Sequence, residues 1–321
     1  MVQAQGCTSF EDYRGASRRG RGQAIRRSDR RQLWPVYQRY RDLLDRDGLR
    51  ERQDALWDAA RLLETPLVPP PYRAAVVDEA QDMSTVAFRL IRALIPAGED
   101  DLFIVGDGHQ RIYRRKVVLS QAGIQIVGRS RKLRVNYRTP EEIRRAAVGV
   151  LEGCAIDDLD GGVDDAKGYV SLLRGGAPIL LKVASFAEEA DALAAFAQEG
   201  DLSRTCLVCR SGRLLDAYEA ALSQRGIETL RLSRDQGDDR SRPGLRLATM
   251  HRVKGLEFDR VMIAGLYDWQ STVEHIASET DDAAIRAAGE VGERALLYVA
   301  LTRARREVMV SWSGEGRRLV E

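Results

Sequence analysis

Two adjacent carboxylates stand at the end of a short apolar run, in the stretch "RAAVVDEAQDMS". Asp78 and Glu79 directly follow residues 74–77, which is the pattern of a buried strand that ends in charged residues. At such a strand end, one carboxylate holds Mg²⁺ on a nucleotide and the other polarises the attacking water. The pattern therefore predicts that one of Asp78 and Glu79 is a magnesium ligand and that the other polarises the water. For this stretch alone, a solvated helix N-terminus whose acids favour the helix dipole is the alternative.

A second apolar run, "DLFIVGDGHQRIY", also ends in residues that suit nucleotide chemistry. Gln110 could sense a γ-phosphate from the neighbouring strand end, and Tyr113 could meet a base. The segment "LRVNYRTPEE" sets Tyr137 beside Arg138, and this pair can stack on a base and clamp a phosphate. Each of these residues, taken singly, is more often an ordinary loop residue.

Two further stretches lie late in the chain. "ATMHRVKGLEFDRV" leaves a strand, turns at Lys254 and Gly255, and offers His251 and Glu257. His251 has no Cys or His partner at metal-ligand spacing, so it is predicted to be a polar contact. "LLYVALTRARREV" puts Arg303 on a helix whose other face is apolar. An inward arginine there could be an arginine finger, and the alternative is a surface arginine.

The elements that must position these residues alternate between strands and helices. The strand that ends at Asp78 is followed by the helix "STVAFRLIRALI", with Ser84 as its predicted N-cap, and then by a second strand. A second series of strands and helices runs from "PILLKVAS" to "EVMVSW". Functional residues at strand ends in this order indicate an α/β fold. Cys206 and Cys209 lie within one strand and are predicted to be core residues rather than metal ligands.

Composition and charge indicate a soluble globular protein with a polyanionic partner. The 321 residues are 44% hydrophobic and 31% charged, and no apolar run approaches the ~20 residues of a membrane helix, so a cytoplasmic location is expected. Residues 1–41 hold ten Arg and three acids, and residues 109–138 hold nine Lys or Arg and no acid. The second run contains tyrosines and therefore suits a polyanion with stackable bases. The first run is equally well explained as a solvated face.

Five stretches, in this order, resemble motifs II to VI of the UvrD/Rep-like superfamily 1 DNA helicases: "VVDEAQD", "VGDGHQRIY", "LRVNYRT", "TMHRVKGLEF" and "LLYVALTRAR". The resemblance implies two RecA-like domains of the P-loop NTPase fold in tandem, with ATP between them and single-stranded DNA across the top. It divides the chain into four parts. These are a basic helical segment (1–71), a partial first domain with motifs II to IV (72–151), an acidic linker (152–168) and a second domain with motifs V and VI (169–321).

The resemblance also assigns roles to individual residues. Those assigned to ATP and Mg²⁺ are Asp78, Glu79, Gln110, Tyr137, Arg138, Glu257 and Arg303. In this set Asp78 would hold Mg²⁺ and Glu79 would activate water. Tyr137 would stack on adenine, Glu257 would approach the ribose, and Arg303 would be the arginine finger. Gln110 and Arg138 would read the γ-phosphate. Those directed toward DNA are Tyr113, Arg115, Thr249, His251 and Lys254.

The chain departs from the family at motif I, the phosphate loop G-x-x-x-x-G-K-[ST]. None of the five lysines precedes Ser or Thr, so this loop is missing from the sequence. Arg115 also stands where the family has an aromatic residue. The expectation is the C-terminal portion of an ATP-dependent 3′–5′ DNA helicase or translocase of DNA repair, with impaired ATP hydrolysis on its own. The alternatives are a catalytically inactive nucleic-acid-binding remnant, and one half of a split helicase completed by a partner chain that carries the phosphate loop.

Overall fold

The computed structural model describes residues 7, 9–15, 27–65, 69–112, 117, 119–157, 162–164, 168–233, 237–267, 273–275, 278 and 283–313. The chain divides into two compact units. The first unit comprises residues 1–131 and 155–164, and the second comprises residues 132–154 and 165–321. The chain therefore crosses between the units three times.

These boundaries differ from the predicted ones at two places. Residues 132–151 were expected in the first domain but belong to the second unit, because strand β3 (Val135–Asn136) pairs there with strand β6 (Val170–Ser171). The predicted linker 152–168 is divided, since residues 155–164 belong to the first unit. Within that segment, two short strands pair antiparallel, Ile156–Asp157 (β4) and Val163–Asp164 (β5).

Three helices open the first unit: α1 (Phe10–Gly15), α2 (Arg27–Arg46) and α3 (Arg52–Leu63). Trp34 of α2 stacks on Tyr13 of α1, with ring centroids 5.8 Å apart. Helix α3 begins with a capping box. The side chains of Glu51 and Asp54 each accept a hydrogen bond from the backbone N–H of the other residue. The described residues of the N-terminal segment are thus largely helical.

The first unit also contains a small parallel sheet. Strand β1 (Ala75–Val77) pairs with strand β2 (Leu102–Ile104), and one face of this pair packs under helix α4 (Thr85–Leu94) around the fully buried Phe88. Helix α4 begins where the sequence predicts, because the Ser84 side chain accepts a hydrogen bond from a backbone N–H of its first turn at 3.2 Å.

The other face of this sheet is open. Val76 is 77% exposed and its register partner Phe103 is 66% exposed, and Val105 continues the same face at 39%. Parallel sheets are normally covered on both faces. Among the described strands, β1 and β2 pair only with each other. The two strands thus carry apolar side chains on a face that none of the described elements covers.

The second unit is built on a six-stranded, wholly parallel sheet of order β7-β12-β11-β8-β10-β9. Its strands are Ile179–Val183 (β7), Thr205–Cys209 (β8), Thr229–Arg231 (β9), Leu245–Thr249 (β10), Phe258–Ile263 (β11) and Ala304–Ser313 (β12). Helices α6 (Phe186–Gln198), α7 (Gly212–Gln224) and α8 (Ala283–Leu301) alternate with these strands, and helix α5 (Glu141–Val150) packs on α8. The predicted α/β class is confirmed by this sheet.

Strand β8 lies in the middle of the sheet and is buried at all five residues. Cys206 and Cys209 are both fully buried on it, and desolvation raises the pKa of the Cys206 thiol well above its usual value. The prediction that this CxxC belongs to the core is therefore confirmed. Among the described helices, none has both the length and the apolar composition needed to cross a bilayer.

Candidate functional site

The carboxyl ends of β1 and β2 lie side by side. Beyond the paired strands, the Val105 N–H donates to the Val77 carbonyl at 2.8 Å, and the Ala80 N–H donates to the Val105 carbonyl at 3.0 Å. These bonds continue the parallel ladder past each strand end. They bring the predicted carboxylates Asp78 and Glu79 next to the loop that follows β2, as the sequence pattern requires.

Asp78 and Glu79 are both exposed at this edge. Glu79 has φ 53° and ψ 39°, which is the left-handed region, and its N–H donates to Asp78 Oδ1 at 2.8 Å. A non-glycine residue in this region costs about 1–3 kcal/mol and is found most often at functional sites. A short 3-10 helix, Ala80–Asp82, follows, and the Glu79 side chain does not cap it. The strand-end interpretation of these acids therefore fits better than the helix N-terminus.

Gln81 connects the two strand ends. Its side chain is 1% exposed, its Nε2 donates to Glu79 Oε2, and its Oε1 accepts the Asp107 N–H at 2.9 Å. This buried amide fixes the Glu79 carboxylate relative to the loop after β2. The sequence analysis did not assign Gln81 a role. The available signal was a Gln two residues after the strand-end Glu, in a segment otherwise rich in acids.

Asp107 is a second carboxylate that the sequence analysis missed. Its side chain accepts hydrogen bonds from the His109 N–H at 2.9 Å and from Gln110 Nε2 at 2.9 Å, and His109 Nδ1 lies 3.2 Å away. Burial raises the pKa of Asp107, but the hydrogen bonds from His109 and Gln110 outweigh this effect and leave the pKa below its ordinary value. The predicted γ-phosphate sensor Gln110 is thus held at the end of β2 by Asp107.

The carboxylates at these strand ends suit the coordination preference of Mg²⁺, which is bound in proteins by one or two carboxylates together with phosphates and water. Asp78 offers an exposed carboxylate at the strand end. No cluster of three or more potential metal ligands occurs among the described residues.

A second cluster lies in the second unit. Arg138 Nε is 2.7 Å from Glu257 Oε1, and Arg305 Nε is 3.8 Å from Glu257 Oε2. Tyr137, next to Arg138, is 72% exposed. The structure thus brings together three of the residues that the resemblance assigns to the nucleotide, Tyr137, Arg138 and Glu257. Arg305 was not predicted, and the only signal for it is the second arginine of the "TRAR" segment.

The loop that carries Tyr137 and Arg138 is held by polar contacts on both sides. Asn136 Oδ1 accepts the Arg138 N–H at 2.7 Å and the Thr139 N–H at 3.1 Å, which is an Asx turn. Thr139 itself is 1% exposed. The turn fixes the backbone at the base of the Arg138 side chain, whereas the side chain itself remains 48% exposed. A ligand can therefore reach both Tyr137 and Arg138.

Glu141 anchors this loop from the start of α5. Its buried carboxylate accepts hydrogen bonds from Arg144 at 2.7 and 2.8 Å, from Arg145 at 2.8 Å, and from the Ser171 N–H at 2.7 Å. The hydrogen bonds from Arg144, the Ser171 N–H and Arg145 together lower the pKa of Glu141 from 4.5 to about 2, and burial opposes this only in part. Because the folded pKa is depressed, this stabilisation is fully present above the unfolded value of 4.5 and is lost as the pH falls toward 2.

Glu141→Gln is expected to lower the unfolding free energy of the protein at pH 7 by about 1–3 kcal/mol, because charged hydrogen bonds are lost in a buried site. The loss should shrink as the pH falls from 4.5 toward 2, where the native carboxyl is itself protonated. Urea unfolding followed by circular dichroism at a series of pH values measures both effects. Glu152→Gln, at an exposed position, serves as the control and should change nothing. A destabilisation that stays constant across this pH range would contradict the assignment.

Arg303 lies just beyond the end of α8, not on the helix as predicted. It is 2% exposed, its Nε donates to the Val299 carbonyl at 3.0 Å, and its Nη2 donates to Thr302 Oγ1 at 3.3 Å. A guanidinium in this position satisfies a free carbonyl of the helix C-terminus. The surface-arginine alternative is therefore wrong. To contact a phosphate, this buried side chain would have to become accessible.

The residues directed toward DNA fall into two groups. Thr249 ends β10, and the predicted turn follows, with Gly255 at φ 81°. Thr249 Oγ1 accepts the Arg252 N–H at 3.2 Å, so the Thr249 hydroxyl helps to form the turn. His251 and Lys254 are partly exposed on this turn. The other two residues, Tyr113 and Arg115, lie outside the described residues.

Two protein-family models match this chain. The model of the UvrD/REP helicase N-terminal domain matches residues 9–117. The model of the UvrD-like helicase C-terminal domain matches residues 227–315. Together these matches span more than half of the 321 residues and include the strand ends of the first unit, Glu257 and Arg303.

Individual relatives are similar over shorter stretches. The ATP-dependent DNA helicases UvrD2 of Mycobacterium bovis and Mycobacterium tuberculosis are each 38% identical to this chain over 71 residues, which is 22% of this chain and 9% of the relative. This chain thus matches only a small part of those proteins' length. A solved structure of the C-terminal domain of a possible DNA helicase from Lactobacillus plantarum WCFS1 is 20% identical. The similarity covers 57% of this chain and 91% of that one, with a TM-score of 0.38.

Proposed function

Because the chain belongs to the UvrD/Rep-like helicase family, we propose that it works as the motor portion of an ATP-dependent DNA helicase or translocase with 3′–5′ polarity. One observation carries the proposal. The buried Gln81 side chain holds the exposed Glu79 carboxylate beside Asp107, at the adjoining ends of two parallel strands. Ligands of α/β proteins bind at the carboxyl ends of the strands. A role in DNA repair and a cytoplasmic location accompany the proposal on the family resemblance alone.

In the first unit, Asp78 would hold Mg²⁺ and Glu79 would accept the proton of the attacking water. Bound Mg²⁺ would neutralise charge on the phosphates. The left-handed backbone of Glu79 and the hydrogen bond from Gln81 orient the carboxylate before any ligand arrives. Such preorganisation is how an enzyme lowers a barrier without reorganising at the moment of reaction. Gln110, held by Asp107, would contact the γ-phosphate.

In the second unit, the exposed ring of Tyr137 would stack on the adenine, and Arg138 would contact a phosphate. Glu257 already pairs with Arg138 at 2.7 Å and with Arg305 at 3.8 Å. Its carboxylate therefore keeps one cationic partner if Arg138 turns toward a ligand. In the proposal, the carboxylate oxygen that Arg138 leaves accepts a hydrogen bond from a ribose hydroxyl. Arg303 would supply the arginine finger.

Unwinding polarity tests this proposal directly. The chain, joined to a phosphate-loop segment of a UvrD-type helicase, is given a fluorescent duplex with either a 3′ or a 5′ single-stranded tail. Strand displacement that needs ATP, Mg²⁺ and a 3′ tail is the expected result. Displacement from the 5′ tail alone would contradict the polarity, and ATP hydrolysis that DNA does not stimulate would contradict the function.

The DNA contacts assigned to Tyr113 and Arg115 give a second test. Tyr113→Ala should weaken single-stranded DNA binding by ~1–3 kcal/mol per stacked base and leave the salt dependence unchanged. Arg115→Ala should lower the slope of log affinity against log salt by about 1, because one phosphate contact is lost. Fluorescence anisotropy titrations at several salt concentrations measure both quantities. Arg204→Ala, an exposed arginine paired with Asp259, is the matched control. If neither substitution alters affinity, the DNA path lies elsewhere.

Two other functions each have one observation in their favour. The missing G-x-x-x-x-G-K-[ST] loop favours a nucleic-acid-binding protein without hydrolysis. The open face formed by Val76 and Phe103 favours one half of a split helicase, completed by a partner chain that carries this loop. Measuring ATP hydrolysis with and without such a chain separates the two. Only the split enzyme gains activity.

A further inference from the structure

A cleft of about 640 Å³ lies between helices α2 and α3 of the first unit, and no residue assigned so far lines it. Its volume is within the ~300–1,000 Å³ typical of ligand sites. Three aromatic residues line it, Trp34 and Tyr37 from α2 and Trp57 from α3. The cleft is therefore a feature of the basic N-terminal segment, whose arginines the sequence explains equally well by a polyanionic partner or by a solvated face.

The aromatic wall of the cleft is fixed by its packing. Trp34 is 8% exposed and has the Tyr13 ring at 5.8 Å and the Tyr37 ring at 5.6 Å. Tyr37 is half-buried, so part of its ring remains open to the cleft. Trp57 is also half-buried, with the Arg89 guanidinium 4.9 Å from its ring centroid. Tyr37 and Trp57 thus present rigid aromatic surface at little cost in side-chain entropy.

Some of the charged side chains that line the cleft form ion pairs with each other, and others do not. Asp54 pairs with Arg41 at 2.9 Å and Asp58 pairs with Arg50, so two of the three lining carboxylates are neutralised. Arg39 and Arg61 also line the cleft, and no carboxylate of the described residues lies within ion-pair distance of either. Asp42 is the third lining acid. After the internal pairs are subtracted, two guanidinium groups face one carboxylate.

We propose that this cleft binds unpaired nucleotides of a single-stranded nucleic acid, with a base against Tyr37 and Trp57 and phosphates on Arg39 and Arg61. Aromatic surface next to guanidinium groups that no carboxylate neutralises is the combination that single-stranded nucleic acids require. Of the two arginines, Arg61 also lies 6.0 Å from the Trp57 ring centroid. The inference rests on the proposed nucleic-acid function but adds a contact outside the helicase motifs. The ten arginines of residues 1–41 favour the same polyanionic ligand.

The test is binding of a fluorescein-labelled fifteen-nucleotide oligothymidine to the full chain, followed by anisotropy at several salt concentrations. Arg39→Glu combined with Arg61→Glu should weaken binding about tenfold or more and lower the salt slope by about 2. Tyr37→Leu should weaken binding about fivefold or more, whereas Tyr37→Phe should bind like the native chain. Arg52→Glu, at an exposed position of α3 that does not line the cleft, is the matched charge control. Circular dichroism confirms that each variant is folded.

Three outcomes overturn the inference. The first is native-like binding by the Arg39/Arg61 double variant, and the second is an equal loss in Arg52→Glu. The third is displacement of the oligonucleotide by polyphosphate at equal phosphate concentration, which would mean a site for charge alone. If the cleft variants bind normally while Arg115→Ala still lowers affinity, this inference fails and the proposed function stands. If the native chain binds no oligonucleotide, both fail.

Discussion

Arg303→Ala is expected to slow DNA-stimulated ATP hydrolysis by about 10³–10⁵-fold once a phosphate-loop segment is joined to the chain, because an arginine finger contributes this much to phosphoryl transfer. The guanidinium stabilises charge that develops only in the transition state, so turnover should fall while ATP affinity changes little. In the structure its donors are used by the Val299 carbonyl and the Thr302 hydroxyl. Because Arg303 is 2% exposed, catalysis would require its guanidinium to become accessible to a phosphate.

The burial of Arg303 means that its truncation also perturbs the fold. Thermal unfolding of each variant separates this effect from catalysis. Arg303→Lys keeps a positive charge at the helix end but lacks the planar fork, so it should retain most of the stability and little of the turnover. Arg306→Ala is the matched neighbour, since Arg306 is exposed and lies outside the cluster around Glu257. A folded Arg303→Ala variant with native turnover would show that the arginine finger is another residue.

The second large effect concerns the chain as it stands. We expect its ATP turnover to fall short of an intact helicase by ~10²–10³-fold for each phosphate-loop donor that is lacking, because these donors supply the fixed charge around the β- and γ-phosphates. None of its five lysines can supply the lysine of such a loop, since none precedes Ser or Thr. Asp78 and Glu79 would then be a correctly placed pair without a bound substrate.

A phosphate-release assay with and without single-stranded DNA measures this turnover. Glu79→Gln is the control for contamination, because residual activity that survives it does not come from this site. Adding a separate polypeptide with a strand, a G-x-x-x-x-G-K-[ST] loop and a helix should raise the rate of the native chain and leave the Glu79→Gln variant unchanged. Turnover of ~1–100 s⁻¹ by the chain alone, abolished by Glu79→Gln, would refute the expectation.

The parts of the site that depend on local pattern follow from the sequence. An apolar run that ends in Asp78 and Glu79 indicates a strand and its end, and parallel strands place their ends at one edge. The roles of Gln81 and Asp107 could not be read in this way, because each depends on the partner strand. Gln81 contacts the Asp107 N–H, 26 positions along the chain, only after β1 and β2 pair in register.

Long-range pairing also explains why the compact units do not follow the predicted domain boundaries. Val135 belongs to the second unit because β3 pairs with β6, about 35 residues later, and no local pattern announces that choice. The position of Arg303 beyond the helix end was also not predictable from local sequence. Helix ends are uncertain by one or two residues, and whether the side chain is then buried depends on the strands that pack against it. The core role of Cys206 and Cys209 was predictable, since a continuous apolar run suits a central parallel strand.

The open face of Val76 and Phe103 has a consequence for handling the protein in solution. Apolar surface beside unpaired strand edges is a template for adhesion between chains, so light scattering should rise with protein concentration. Sulfate should strengthen this adhesion rather than weaken it, which would distinguish it from clustering driven by the many arginines. Phe103→Lys would keep the chain dispersed. The same substitution would also prevent an apolar segment from packing on this face.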